Sequence, residues 1–261
     1  MTDHILHVAL IQTDLVWEDR TANRQHFEHL FLQLPEQTDL VVLPEMFSTG
    51  FSMKAFEFAE SMNGETVAWM KDQASRYQTV IAGSLMIRDD DRSLNRFVFV
   101  HPAGEVHFYD KRHLFSMGLE NSAFTPGSDR KIFLMKGFRI FPQVCYDLRF
   151  PVFSRNRDEY DVLINCANWP ASRREVWETL LKARAIENQA YVLGVNRTGT
   201  DGNGIHYSGN SLIIDPKGKE MASAAPGKEA ILTARFSRSS LDQFRRRFPV
   251  LNDRDNFTLN G

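Results

Sequence analysis

The sequence predicts an α/β fold, and two observations carry that prediction. Continuous apolar runs, such as residues 6–11 and 40–43, are typical of strands that are covered on both faces of a sheet. Between these runs lie stretches whose apolar residues recur at helical spacing, and such alternation favours helices layered on a sheet. No linker, repeat or low-complexity segment interrupts the 261 residues, so we expect one domain over residues 1–261.

The first half of the chain predicts three strands, two helices and a hairpin. The strands cover residues 6–11, 40–43 and 79–86, and the helices cover residues 23–34 and 66–77. Val67, Met70 and Ala74 define the inward face of the second helix. A hairpin over residues 94–100 and 106–109 follows, with residues 101–105 as its turn.

The second half predicts two more helices among further strands. The longest helix covers residues 173–188, and its predicted apolar face carries Val176, Leu180, Ala183 and Ile186. A shorter helix is expected over residues 239–247, capped near Ser237 or Ser239. The strands cover residues 131–134, 138–144, 161–166, 191–195, 211–214 and 231–236. The pattern leaves their order and pairing open.

Charge and cysteine content exclude several function classes. A net charge of -2 gives no reason to expect nucleic acid or an anionic membrane as partner, and no apolar run approaches a membrane span. Cys145 and Cys166 are too few for a disulfide framework, and His26 and His29 have no third ligand grouped with them, so no metal or other cofactor is expected. The N-terminus does not resemble a signal peptide, and a free thiol is typical of the reducing cytoplasm, which is the expected compartment.

Cys145 stands at the end of a predicted strand in the sequence FPQVCYDLRFP. A helix that begins there would place its first free N–H groups beside the thiol, where they can hold an anion. This placement makes Cys145 a candidate nucleophile. The alternative is an inert, packed cysteine, because free cysteine packs well in protein cores.

Glu45 and Lys111 also follow directly on apolar strands, and with Cys145 they form a set of three reactive groups. Ligands of open α/β sheets bind beyond the carboxyl ends of strands, so these groups can converge in one crevice. Acyl transfer through a thioester needs these residue types. A carboxylate takes the thiol proton, and a lysine with the Tyr146 N–H stabilises the oxyanion. A Cys–His pair with His107, His113 or His206 remains open from spacing alone.

At these residues the chain resembles the nitrilase superfamily of carbon–nitrogen hydrolases. LPEMF around Glu45, YDKRHLF around Lys111 and VCYDLRFP around Cys145 resemble the motifs of its Glu–Lys–Cys triad. The resemblance implies a single-domain α-β-β-α sandwich that assembles as a homodimer or higher homo-oligomer and needs no cofactor. It also implies that Glu120 orients Lys111 and helps to position substrate and water.

The resemblance also bears on the residues around the nucleophile. The segment INCANWP resembles a strand end that lines the family's pocket, so Asn168 and Trp169 are expected at the substrate and Cys166 in the packing. Asp147 and Arg149 suit a structural ion pair that holds the turn after Cys145.

Three further segments carry a narrower resemblance: KRHLFSMGLEN at residues 111–121, NWP at residues 168–170 and DGNGIHYSG at residues 201–209. In these segments the chain most resembles the bacterial omega-amidases of the YafV type. Such enzymes hydrolyse the terminal amide of 2-oxoglutaramate or 2-oxosuccinamate, so the pocket should hold a cation for the substrate carboxylate. Arg173 is the candidate, although it can equally be a helix-surface arginine. The expected apolar walls, which can equally be core residues, are Phe51, Phe115, Phe124 and Tyr207. The alternatives are an amidase for aliphatic amides, N-carbamyl compounds or nitriles, and a non-catalytic binding subunit of the same fold.

Overall fold

The computed structural model describes residues 3–259 and contains two six-stranded mixed sheets. The first sheet has the strand order β14-β1-β2-β3-β4-β5, and the second has the order β13-β12-β9-β8-β7-β6. The strands are β1 Ile5–Gln12, β2 Leu40–Val42, β3 Val80–Asp89, β4 Arg92–Val100, β5 Val106–Asp110, β6 Phe133–Met135, β7 Phe138–Val144, β8 Val162–Ala167, β9 Tyr191–Asn196, β10 Thr198–Thr200, β11 His206–Ser208, β12 Leu212–Ile214, β13 Glu220–Ser223 and β14 Ala230–Ser237. The helices are α1 Arg20–Phe31, α2 Ala55–Phe58, α3 Glu65–Tyr77, α4 Glu120–Ala123, α5 Pro151–Ser154, α6 Arg174–Asn188 and α7 Arg238–Arg247.

Alternate residues of β1 belong to different hydrophobic cores, which explains its continuous apolar run. Val8 and Leu10 pack in the core between the two sheets, together with residues of β7, β8 and β9. Ala9 and Ile11 point to the opposite face, where α1 and α3 cover the first sheet. Successive side chains of a strand point to opposite faces of the sheet. Because both faces are covered here, neither set of side chains needs to be polar. The α-β-β-α sandwich is confirmed.

Most predicted elements are confirmed, including the hairpin of β4 and β5 and the cap of α7. The Ser237 hydroxyl accepts a hydrogen bond from the Ser240 N–H at 3.1 Å. Asp19 caps α1 in the same way, through the Ala22 N–H at 2.9 Å. These bonds satisfy backbone donors that have no partner inside the helix. The short strands β10, β11 and β13 and the short helices α2 and α4 were not predicted, since segments of three or four residues carry little periodicity.

The predicted apolar face of α6 is only partly confirmed. Val176 and Leu180 are partly buried and pack against the core, whereas Ile186 is 55% exposed. The buried side chains of this helix are Trp177, Leu181, Arg184, Ala185 and Asn188. The hydrophobic pattern predicted a different face because two of the residues on the inner face are polar. The Arg184 guanidinium, for example, donates to the Leu148 carbonyl at 2.6 Å and so is satisfied inside the protein.

The topology brings the carboxyl ends of strands from both sheets to one place. β1, β2 and β3 run parallel in the first sheet, and β7, β8 and β9 run parallel in the second. Glu45 follows β2, Lys111 directly follows β5 and Cys145 directly follows β7. No helix within residues 3–259 is both long enough and apolar enough to span a membrane.

Asp161 ties α7 to the second sheet on the side away from these strand ends. Its buried carboxylate pairs with Arg139 at 2.9 Å, Arg238 at 2.8 Å and Arg245 at 2.7 Å. Burial would raise the pKa of Asp161, but hydrogen bonds from Arg139 and the charges of Arg245 and Arg139 outweigh it, so the pKa lies below its usual value.

We expect Asp161→Asn to lower the free energy of unfolding at pH 7 by about 2–3 kcal/mol, because it leaves partly buried arginines without their counter-charge. The folded pKa lies below the unfolded one, so this contribution is complete above roughly pH 4 and is lost as the pH falls through the folded pKa. Urea unfolding of both proteins at several pH values measures it. The control is Asp158→Asn, because the Asp158 side chain is 65% exposed and pairs with Arg139 at 3.4 Å, and this variant should change stability little. An equal loss in both variants would contradict this account.

Candidate active site

Cys145 begins a 3-10 helix, Cys145–Arg149, directly after β7. Its φ is +45°, a left-handed conformation that is strained for a residue with a Cβ atom. The thiol lies at a cleft of about 120 Å³, and the side chain is partly exposed. The first N–H groups of a helix lack partners within it, so the Tyr146 N–H lies where an anion beside the thiol can be held.

Lys111 is fully buried between two carboxylates. Its Nζ donates to Glu45 Oε1 at 2.8 Å and to both carboxylate oxygens of Glu120 at 2.9 Å. All three side chains have no solvent exposure. Asn95, on β4, links the carboxylates, because its side-chain amide donates to Glu45 Oε1 at 2.8 Å and to Glu120 Oε1 at 2.9 Å. The structure therefore brings Glu45, Lys111 and Glu120 into one hydrogen-bonded network.

Burial and charge set the protonation of this network. Burial alone would lower the pKa of Lys111, but the carboxylates of Glu120 and Glu45 raise it well above its usual value, so the ammonium stays charged. Burial raises the pKa of Glu120, and Glu45 adds to this while Lys111 opposes it. Burial and the charge of Glu45 raise the pKa of the Cys145 thiol. Cys145 is thus a neutral thiol near the carboxylate of Glu45.

Glu45 also lies near Cys145. The thiol donates to the Asn168 carbonyl at 3.9 Å, and the charge of the Glu45 carboxylate acts directly on the thiol pKa. The second oxygen, Oε2, accepts from the Asn168 N–H at 2.8 Å, and the Asn168 side-chain amide donates to the Glu45 carbonyl at 2.6 Å. These bonds fix the carboxylate between Lys111 and Cys145, so a proton can move from sulfur to oxygen over a short path.

The cleft is lined by most of the predicted substrate-binding residues: Phe51, Phe115, Tyr146, Asn168, Trp169, Arg173 and Tyr207. Arg173 lies over the Phe115 ring, 5.2 Å from its centroid, and so faces the cleft. Phe124 is the exception. It is 5% exposed and packs in a separate core with Met46, Ala55 and Met86, so its prediction as a cleft wall is wrong.

The predicted ion pair between Asp147 and Arg149 is also wrong. The Asp147 carboxylate pairs with His113 Nδ1 at 2.7 Å and accepts the Tyr109 hydroxyl at 2.8 Å. Arg149 instead lies over the Trp169 ring at 5.1 Å and lines the cleft. The two residues are two positions apart in a 3-10 helix, so their side chains point in different directions. Each side chain therefore contacts a partner on another element.

Sequence reasoning missed three residues at this site. Asn95 and Arg149 are described above, and Asp201 lines the cleft while accepting the Tyr207 hydroxyl at 2.9 Å. Asn95 lies inside a strand and gives no signal in the sequence; Asp201 at least belongs to a polar, glycine-rich loop.

The structure does not support a Cys–His pair. Among residues 3–259, no histidine makes a hydrogen bond with Cys145. His113 is held by Asp147 and stacks on Phe150 with ring centroids 3.7 Å apart, while His107 lies on the outer hairpin. A carboxylate is the group beside the thiol.

Comparison with known proteins places the chain in a family. A family model described as carbon-nitrogen hydrolase matches residues 7–246. The chain belongs to the carbon-nitrogen hydrolase family. Omega-amidase YafV of Yersinia enterocolitica is 49% identical over 97% of this chain and 98% of its own, and 2-oxoglutaramate amidase of Bacillus subtilis is 30% identical over 94% and 96%. The crystal structure of XC1258 from Xanthomonas campestris, a CN-hydrolase superfamily protein with an arsenic adduct in the active site, superposes with a TM-score of 0.96 at 43% identity over 100% of both chains.

We expect Asn95→Ala in this carbon-nitrogen hydrolase to lower kcat by about a hundredfold and to leave KM almost unchanged. The variant frees both carboxylates from their shared donor and so displaces them, while Asn95 itself does not line the cleft. Steady-state kinetics measure the effect. The control is Asn121→Ala, which removes an exposed amide beside Glu120. An equal fall in both variants, or a rise in KM alone for Asn95→Ala, would contradict a positioning role.

Proposed function

We propose that the protein is an omega-amidase that hydrolyses the terminal amide of 2-oxoglutaramate or 2-oxosuccinamate to the 2-oxo dicarboxylate and ammonia. The observation that carries this proposal is the buried Glu45–Lys111–Glu120 network against the Cys145 thiol, at a cleft that two arginines line. The similarity to an omega-amidase of Yersinia enterocolitica and a 2-oxoglutaramate amidase of Bacillus subtilis supports the same chemistry.

In the first half of the reaction, Glu45 takes the proton of Cys145 and the sulfur attacks the amide carbon. The C–S bond forms while the carbonyl π electrons move to oxygen, and the Lys111 ammonium with the Tyr146 N–H stabilises that oxyanion. Each such donor contributes about 3–4 kcal/mol in comparable sites. When the intermediate collapses, the C–N bond breaks and Glu45 gives its proton to the nitrogen, which leaves as ammonia.

In the second half, water hydrolyses the thioester. Glu45 takes a proton from the water, whose oxygen attacks the same carbon, and the C–S bond breaks as the carboxylic acid forms. Sulfur then recovers its proton from Glu45, which restores the resting thiol. Glu120 holds Lys111 in place through both of its oxygens throughout. Its raised pKa lets it share a proton with the network while the charges change.

The cleft suits a short linear substrate with an anionic end. Phe51, Phe115 and Trp169 supply apolar walls, while Arg149 and Arg173 supply two guanidinium groups. Within the described residues 3–259, neither arginine has an ion-pair partner, and each lies over an aromatic ring instead. A guanidinium without a carboxylate of its own is free to bind that of a substrate in the fork geometry that suits both groups.

Two further features belong to this proposal. The cytoplasm is the expected compartment, because it keeps a catalytic thiol reduced. A homodimer or higher homo-oligomer is the expected assembly. Light scattering that finds the 30.0 kDa mass of one chain would contradict that assembly.

We expect Cys145→Ala to lose all ammonia release from 2-oxoglutaramate and to retain the fold, because the variant has no nucleophile for the thioester. The control is Cys166→Ala, since Cys166 is buried on β8 away from the cleft lining and should leave turnover close to that of the parent. An enzyme-coupled ammonia assay measures turnover, and circular dichroism checks the fold. Turnover by a folded Cys145→Ala protein would refute the mechanism.

We expect Arg173→Met to lower kcat/KM for 2-oxoglutaramate by about ten- to hundredfold, the value of one charge-assisted hydrogen bond, and to leave a neutral aliphatic amide unaffected. The matched control is Arg174→Met, because that neighbouring side chain is 46% exposed and pairs with Glu178. Ammonia release across 2-oxoglutaramate, glutamine, an aliphatic amide and a nitrile measures the preference. A preference of the parent enzyme for glutamine or the nitrile would refute the omega-amidase assignment.

A further inference from the structure

We propose that the turn between β4 and β5 holds a Zn²⁺-type divalent metal site whose ligands are His101, Glu105 and His107. The two histidines each offer one ring nitrogen and the glutamate one carboxylate oxygen, and these three atoms all lie within 4.8 Å of one another. None of the three residues lines the cleft at Cys145. The site is therefore separate from the amidase chemistry.

Strand pairing explains why the three side chains meet. Phe99 lies opposite His107 in the antiparallel register of β4 and β5, and the His101 N–H donates to the Glu105 carbonyl at 2.9 Å. Side chains alternate between the faces of a sheet, so residues two apart share a face. His101 and His107 are thus diagonal neighbours across the hairpin, with Glu105 beside both.

The distances are close to those of a metal centre. Zn–N and Zn–O bonds of about 2.0–2.1 Å at tetrahedral angles put two ligand atoms about 3.4 Å apart. His107 Nε2 already lies 3.3 Å from Glu105 Oε1. With every ligand pair within 4.8 Å, the His101 ring needs to move by no more than about 1.5 Å, which a small rotation of side chains provides.

His101 has an unused ligand atom. Its Nε2 is buried and makes no hydrogen bond within the part of the chain that the structure describes. Leaving a buried polar nitrogen without a partner is unfavourable, and a metal ion would remove that cost.

Packing beneath the site holds both imidazole rings in place. His101 meets Phe99 edge to face with centroids 5.2 Å apart, and His107 stacks on Phe133 at 5.4 Å. Rings that are already oriented lose little conformational entropy when a metal binds. Two imidazoles with one carboxylate are a ligand set that Zn²⁺ accepts, with water in the fourth position.

The site would act on stability. His107 and Lys111 are four residues apart on and just after β5, or roughly 13 Å along the strand. A metal that joins β4 to β5 at the turn would resist fraying of the strand whose other end leads to Lys111. An ion that binds only the folded chain raises the free energy of unfolding with its concentration.

The test uses tag-free Cys145→Ala protein, freed of metal with a chelator, so that the cleft thiol cannot bind the ion. Titration with ZnCl₂ at pH 7.5 should show one equivalent bound and a raised thermal unfolding midpoint. His101→Ala/His107→Ala in this background should lose both effects. Glu105→Gln changes a side chain that is 67% exposed and keeps the fold, and it should weaken binding at least about tenfold.

The matched control removes two other histidines, in His29→Ala/His206→Ala, and should bind Zn²⁺ as the background protein does. Binding that is unchanged by His101→Ala/His107→Ala and by Glu105→Gln would overturn the proposal. Binding that the control variant loses would overturn it equally, because the ion would then lie elsewhere. No uptake of ZnCl₂ by the background protein would also refute the site.

Discussion

The ammonium of Lys111, buried between the carboxylates of Glu45 and Glu120, is the interaction on which the site depends. Each ion would be costly to bury alone, and removal of any one leaves uncompensated charge in a dry interior. Their mutual bonds, with Asn95 across both carboxylates, hold the three groups in a single arrangement. The α-β-β-α sandwich makes this arrangement possible, because it brings strand ends from both sheets to one place.

The same electrostatics act on the Cys145 thiol. Burial and Glu45 raise its pKa, and Lys111 only partly opposes them, so the thiol is neutral at rest. In the proposed mechanism this thiol becomes reactive only when Glu45 takes its proton during attack on the substrate carbonyl. The left-handed backbone at Cys145 directs the sulfur towards the cleft. This conformation is strained, and it persists because the surrounding contacts hold it in place.

The buried network and the two arginines of the cleft belong to different parts of the structure. The network lies at strand ends, whereas Arg149 and Arg173 line the cleft and lie over Trp169 and Phe115. In the proposed omega-amidase, substitutions at the two arginines would change substrate preference and leave the network intact. The hairpin turn with His101, Glu105 and His107 is a third region, connected to the site through β4 and β5.

The sequence alone determined the alternation of strands and helices, the three motifs around Glu45, Lys111 and Cys145, and the place of Glu120. Apolar periodicity and strand-end chemistry are local properties, so they can be read residue by residue. Tertiary structure alone decided that Asn95 joins the carboxylates, that Phe124 packs away from the cleft, that Asp147 pairs with His113, and that α6 buries Arg184. Each of these contacts depends on which element packs against the residue in the folded chain. Contacts between residues that are far apart in the sequence do not change the local hydrophobic pattern, so the pattern cannot predict them. The same reason hides the pairing of His101 with His107, which only the register of β4 and β5 reveals.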